Sequence, residues 1–127
     1  MKPKLIIESH VPCVPDELAG YFDIERLAPG EFTPEAVAGA DAMIVRTRTR
    51  CDASLLGNSN VRFIATATIG TDHIDLPWCA ARGITVASAP GCNAPAVAQY
   101  VYASLLKLFP GGLDGKTIGV VGVGHVG

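Results

Sequence analysis

The sequence predicts an α/β fold built on a mainly parallel sheet. Three observations carry this expectation. Short apolar runs recur along the chain, helix-forming segments separate them, and Pro, Gly or a capping residue marks many of the boundaries.

The first apolar run, Lys4 to Ile7, reads as a buried strand. Pro15 to Phe22 follows as a short helix with Pro at its start, and Ile24 to Leu27 reads as a weaker strand. Thr33-Pro34-Glu35-Ala36 is a helix start: Thr33 can cap, Pro34 suits the first turn, and Glu35 favours the positive end of the helix dipole. Ala42 to Val45 and Phe63 to Thr66 are the third and fourth strands. Asp75 caps a helix running to about Arg82, which Gly83 ends, and Ile84 to Ala87 is the fifth strand. Ala94 to about Leu108 is a long apolar helix with no polar face, expected to be buried between layers or domains. Pro110-Gly111-Gly112 breaks it, and Thr117 to Val121 is expected as a sixth strand.

Composition narrows the function classes. The chain has 127 residues, is 49% hydrophobic and carries a formal charge of −2, which argues for a packed core and against disorder. No basic stripe suits a nucleic-acid duplex, and no apolar run is long enough to cross a bilayer. The run after Met1-Lys2-Pro3-Lys4 is too short for a signal-peptide core. Cys13, Cys51, Cys79 and Cys92 are scattered with no CxxC pair, so neither a metal site nor a disulfide framework is expected, and a reducing cytoplasm fits.

Four segments carry chemistry. Gly122-Val123-Gly124-His125-Val126-Gly127 matches GxGxxG after an apolar run, the pattern of a dinucleotide pyrophosphate turn, though a plain glycine turn also fits it. Arg46-Thr47-Arg48-Thr49 puts arginines and hydroxyls past a strand end, suited to a carboxylate or phosphate; a solvated loop is the alternative. Thr66 to Asp75 offers hydroxyls and successive backbone N–H groups to an anion, with Gly70 making the turn. There His73 reads as a structural histidine, Asp75 as a helix cap and Asp72 as an acceptor bracing the loop. In the fourth, Ala89 to Gln99, Asn93 is placed to cap the long helix and Cys92 reads as an ordinary loop residue.

In order and spacing these segments resemble the D-2-hydroxyacid dehydrogenase family. Val45 to Thr49 is similar to its substrate loop, Ile69 to Asp75 to its carboxylate loop, Asn93 to Gln99 to its interdomain helix, and Val121 to Gly127 to the opening of its NAD domain. The resemblance implies a flavodoxin-like parallel-sheet substrate domain over 1–93, an interdomain helix and linker over 94–115, and, over 116–127, the first strand and Gly-rich turn of a Rossmann NAD-binding domain. It implies that Thr47, Thr68, Arg46, Gly70 and Thr71 meet the substrate, and that Gly122, Gly124, His125, Val126, Gly127 and Asn93 meet NAD. The partner it implies is a small phosphorylated 2-hydroxy acid, and the assembly a cytoplasmic homodimer.

Among the branches, the segments are most similar to the one that oxidises a four-carbon phosphorylated hydroxy acid on the route to pyridoxal 5′-phosphate. Arg48 is more like the phosphoglycerate branch, and Gln99 stands where the family usually has Glu. The family's acid/base His, its partner Glu and its catalytic Arg lie beyond the glycine motif, so no catalytic residue is expected in this chain, and the 127 residues alone are expected to be inactive. A non-catalytic NAD-binding corepressor of the same family is the alternative from another class.

Overall fold

A computed structural model describes all 127 residues, Met1–Gly127, and the chain divides into two compact units, Met1–Ala89 and Pro90–Gly127. The first unit is a five-stranded sheet in the order β2-β1-β3-β4-β5, every pair parallel. Its strands are β1 (Lys4–Glu8), β2 (Asp23–Leu27), β3 (Ala42–Val45), β4 (Phe63–Thr66) and β5 (Thr85–Ala87). Side chains alternate across a strand, so β1 feeds two cores at once. Ile6 packs with Val37, Met43 and Ile64 on one face, while Leu5 and Ile7 join Val11 and Ala42 on the other. β1 has a strand on each side and is almost wholly buried, whereas β2 at the edge is half exposed and its Glu25 pairs with Lys4 at 2.7 Å.

The helices of this unit are short: α1 (Leu18–Tyr21), α2 (Pro34–Val37), α3 (Ala53–Leu56) and α4 (Leu76–Ala81). The expected caps are formed. The Thr33 hydroxyl accepts from the Ala36 amide at 3.3 Å, and the Asp75 carboxylate accepts from the Trp78 amide at 3.1 Å. Gly83 stands at φ +71° just past α4, a conformation that favours glycine. Helix α3, absent from the sequence reading, is capped by Asp52, which accepts from the Ser54 and Leu55 amides.

Chain order and sheet order together place a topological switch. From β1 the chain moves to one side for β2 and to the other for β3, so the connections leaving the carboxyl ends of β1 and β3 diverge. A crevice opens at such a point, and ligands of open α/β sheets bind there.

The second unit holds α5 (Ala94–Leu108) followed by an irregular segment. Here three expectations are corrected. No residue of α5 is buried, and Tyr100 and Leu108 are 74% and 71% exposed; only a stripe through Val97 and Leu105 is partly covered. Fifteen residues of helix have only the segment after Phe109 to pack on within this unit, which covers one flank of a cylinder. Asn93 sits at the N-cap, but its side chain makes no capping bond, because its backbone is already in the helical region (φ −96°, ψ −3°) rather than extended. Thr117–Val121 forms no strand, since no strand stands beside it in the unit to supply a hydrogen-bonding ladder.

Candidate active site

The loops that follow β1, β3 and β4 meet at the carboxyl edge of the sheet. Glu8, the last residue of β1, is 1% exposed. Its Oε2 accepts from the Arg46 backbone N–H at 2.9 Å and from the Thr49 hydroxyl at 2.9 Å. The Thr49 amide in turn donates to the Arg46 carbonyl at 3.2 Å, closing residues 46–49 into a turn. The Arg46 guanidinium donates to the His10 carbonyl at 3.0 Å. Thr47 and Arg48, at the apex, are exposed.

The loop after β4 is tied by side chains. Thr68 donates its hydroxyl hydrogen to the Gly70 carbonyl at 3.2 Å, Thr66 and Thr68 hydroxyls are 2.6 Å apart, and Thr66 Oγ1 lies 3.1 Å from His73 Nε2. His73 is thus the structural histidine expected. Burial holds its pKa below the ordinary histidine value, against the opposing pull of Glu8 and Asp72. Asp72 does not brace the loop, because no hydrogen bond ends on its carboxylate; it faces a cavity instead. Gly70 is not in the left-handed region, and an added Cβ would meet only Asp72 Oδ2 at 3.7 Å, so the backbone turns here without needing glycine.

The two loops are latched to each other. The Cys51 amide donates to the His73 carbonyl at 2.8 Å, and the Cys51 carbonyl accepts from the Asp75 amide at 2.9 Å. What remains free is a set of donors. The backbone N–H groups of Thr47 and Arg48, and those of Thr68 to His73, find no acceptor in the chain. Free N–H groups in succession are an anion-binding arrangement.

Two cavities open on this edge and share Thr47. One, of about 300 Å³, is lined by Glu8, His10, Arg46, Thr47 and Arg48. The other, of about 390 Å³, is lined by Thr47, Arg50, Gly70, Asp72 and His73. Of the substrate-side residues expected from sequence, Arg46, Thr47 and Gly70 line the pair. Thr68 bonds to the Gly70 carbonyl, and Thr71 lies on the same loop outside the lining. Glu8 and His10 were missed. No sequence pattern marks them, since a charged residue closing the apolar run Leu5-Ile6-Ile7 reads as an ordinary exposed strand end.

The glycine motif lies in the second unit. Gly122 stands at φ +87°, and a Cβ at Gly127 would run into the Gly122 carbonyl and the Val123 backbone. The segment is folded back on itself, and Gly122 takes a backbone conformation that favours glycine. A Cβ added at Gly91 (φ +76°) would reach the His125 side chain at 3.7 Å. Asn93 and residues 122–127 are exposed.

The family model described as D-isomer specific 2-hydroxyacid dehydrogenase, catalytic domain, matches residues 8–111. Erythronate-4-phosphate dehydrogenase of Bacteroides fragilis is 51% identical over 128 residues, covering 98% of this chain and 37% of that protein. The enzyme of the same name from Chromohalobacter salexigens is 45% identical, with 98% and 33% covered. The chain therefore spans about a third of the length of these relatives. Among solved structures, an NADPH-dependent glyoxylate/hydroxypyruvate reductase of Sinorhizobium meliloti superposes with TM-score 0.70 at 21% identity, covering 99% of this chain and 48% of that one.

Proposed function

The chain belongs to the D-isomer specific 2-hydroxyacid dehydrogenase family, and from that premise we propose that it holds the substrate in an NAD-dependent oxidation of 4-phospho-D-erythronate to 3-hydroxy-2-oxo-4-phosphobutanoate, a step toward pyridoxal 5′-phosphate. The observation that carries this reading is the pair of cavities meeting at Thr47, one walled by Arg46 and Arg48, the other beside the free N–H groups around Gly70. A small acid with an anionic group at each end fits such a pair. The carboxylate sits against the Gly70 and Thr71 amides with Thr68 beside it. The phosphate meets the guanidiniums, which suit it by charge and planar geometry. Thr47 lies under the carbons between.

In this reading residues 1–93 bind substrate, 94–115 connect, and 116–127 open the cofactor domain of a cytoplasmic homodimer. Gly122, Gly124, His125, Val126 and Gly127, with Asn93, hold the cofactor. Held there, NAD would supply the hydride acceptor for C2 of the substrate. This chain's part is orientation: fixing both charged ends confines C2 to one place and presents one face of it. The proton acceptor, its carboxylate partner and the polarising arginine are assigned to the length of the relatives that this chain does not span. Arg48 in the first cavity favours phosphoglycerate as the second reading.

Turnover of the complete protein with NAD on 4-phosphoerythronate and on 3-phosphoglycerate tests the proposal. A clear preference in kcat/KM for the four-carbon acid is expected. The opposite preference installs the second reading, and NAD binding without turnover of either acid points to a corepressor-like role.

A further inference from the structure

We infer that Glu8 is a positioning residue: one carboxylate oxygen, hydrogen-bonded to both the Arg46 amide and the Thr49 hydroxyl, sets the shape of the turn that presents Thr47 and Arg48 to substrate. This rests on the substrate-loop reading above.

A carboxylate at 1% exposure costs free energy unless its hydrogen bonds compensate. Its function is therefore to be sought in what those bonds hold. Both bonds at Oε2 are 2.9 Å and both partners are on one turn, at its first and fourth residues. The residues between them line the cavities, and neither Thr47 nor Arg48 has its own amide tied within the chain. Their positions depend on the ends of the turn, and Glu8 holds both ends to β1, the most buried strand of the sheet.

The carboxylate forms no salt bridge, and the Arg46 guanidinium donates to the His10 carbonyl instead. A charge role and a geometric role then predict opposite results. If the charge mattered most, neutralising it beneath an anion site would tighten substrate binding. If the geometry matters, any side chain that keeps an acceptor in place suffices.

The experiment compares Glu8→Gln, Glu8→Leu, Thr49→Ser and Thr49→Val in the complete protein, by steady-state kinetics on 4-phosphoerythronate and by hydrogen exchange of the Arg46 amide. Glu8→Leu is expected to raise KM about tenfold or more with kcat within about threefold. Glu8→Gln is expected at or below the parent KM. Thr49→Val, which removes one bond with little change of shape, is expected to raise KM by about threefold, and Thr49→Ser to restore it. Loss of stability alone would lower the active fraction and leave KM unchanged. A soluble Glu8→Leu or Thr49→Val protein with parental KM overturns the inference. So does a Gln variant as impaired as the Leu variant. If the parent does not turn over this acid, the functional reading fails. The clamp then stands or falls on amide exchange: protection of Arg46 lost in Glu8→Leu and kept in Glu8→Gln supports it, and equal protection in both refutes it.

Discussion

The imidazole Nε2 of His73 lies 3.1 Å from the hydroxyl oxygen of Thr66, and the hydroxyls around it leave one arrangement of protons. Thr68 spends its hydrogen on the Gly70 carbonyl, so Thr66 donates to Thr68, and His73 must donate from Nε2 to Thr66. A chain of three donors thus runs from a buried ring to the backbone beside the second cavity. Replacing Thr66 by Val keeps the shape but leaves His73 Nε2–H without an acceptor. A loss of about 1–3 kcal/mol is expected from urea denaturation, with Ser recovering most of it.

The same ring makes stability depend on pH. Burial holds the folded-state pKa of His73 below its unfolded value of 6.5. Above pH 6.5 both states are neutral and the full stability is present. As pH falls from 6.5 through the lower folded value, the unfolded chain takes up a proton that the folded chain refuses, and stability is lost. Urea midpoints between pH 7.5 and pH 5 should fall accordingly. The slope should flatten in a His73→Asn variant; an unchanged slope would remove His73 as its source.

Helix α3 depends on a single cap. Asp52 accepts from the Ser54 and Leu55 amides and holds Leu55 and Leu56 in the core. Asp52→Ala is expected to cost about 1 kcal/mol in equilibrium unfolding. The Ser54 hydroxyl is the main influence holding the Asp52 carboxyl below the usual range, so Ser54→Ala should move that pKa upward, as read by carboxyl NMR titration.

The four cysteines divide into two classes. Cys13 and Cys92 are exposed, Cys51 and Cys79 buried. Burial first, then Cys79, Asp52 and Glu8, push the Cys51 thiol up to about 12. A thiol reagent at pH 8 should modify Cys13 and Cys92 rapidly and the other two only after denaturation. Because the folded value lies above the unfolded one, Cys51 is neutral in both states below about pH 9, and its contribution is lost only as pH rises from there toward 12.

The strands were legible because burial on both faces leaves continuous apolar runs: Ala42–Val45 and Phe63–Thr66 begin and end where the sequence places them. Helix α3 was not, since four residues are too few to show a helical period, although Asp52 before Ala-Ser-Leu-Leu was a usable cap signal. The long helix was legible in extent, Ala94–Leu108, but not in burial, because an all-round apolar sequence does not say what stands next to it. At the candidate site, Arg46, Thr47 and Gly70 could be picked out by residue type. Glu8 could not, because its meaning lies in contacts with residues 38 and 41 positions away.

The two bonds through Cys51 bear on how a ligand comes and goes. Joined there, the loop after β3 and the loop after β4 cannot swing apart independently; any breathing of one wall drags the other, and both are anchored to the sheet. The pair behaves as a fixed jaw. For a ligand held between these two loops, dwell time would rise with the number of contacts that must break at once.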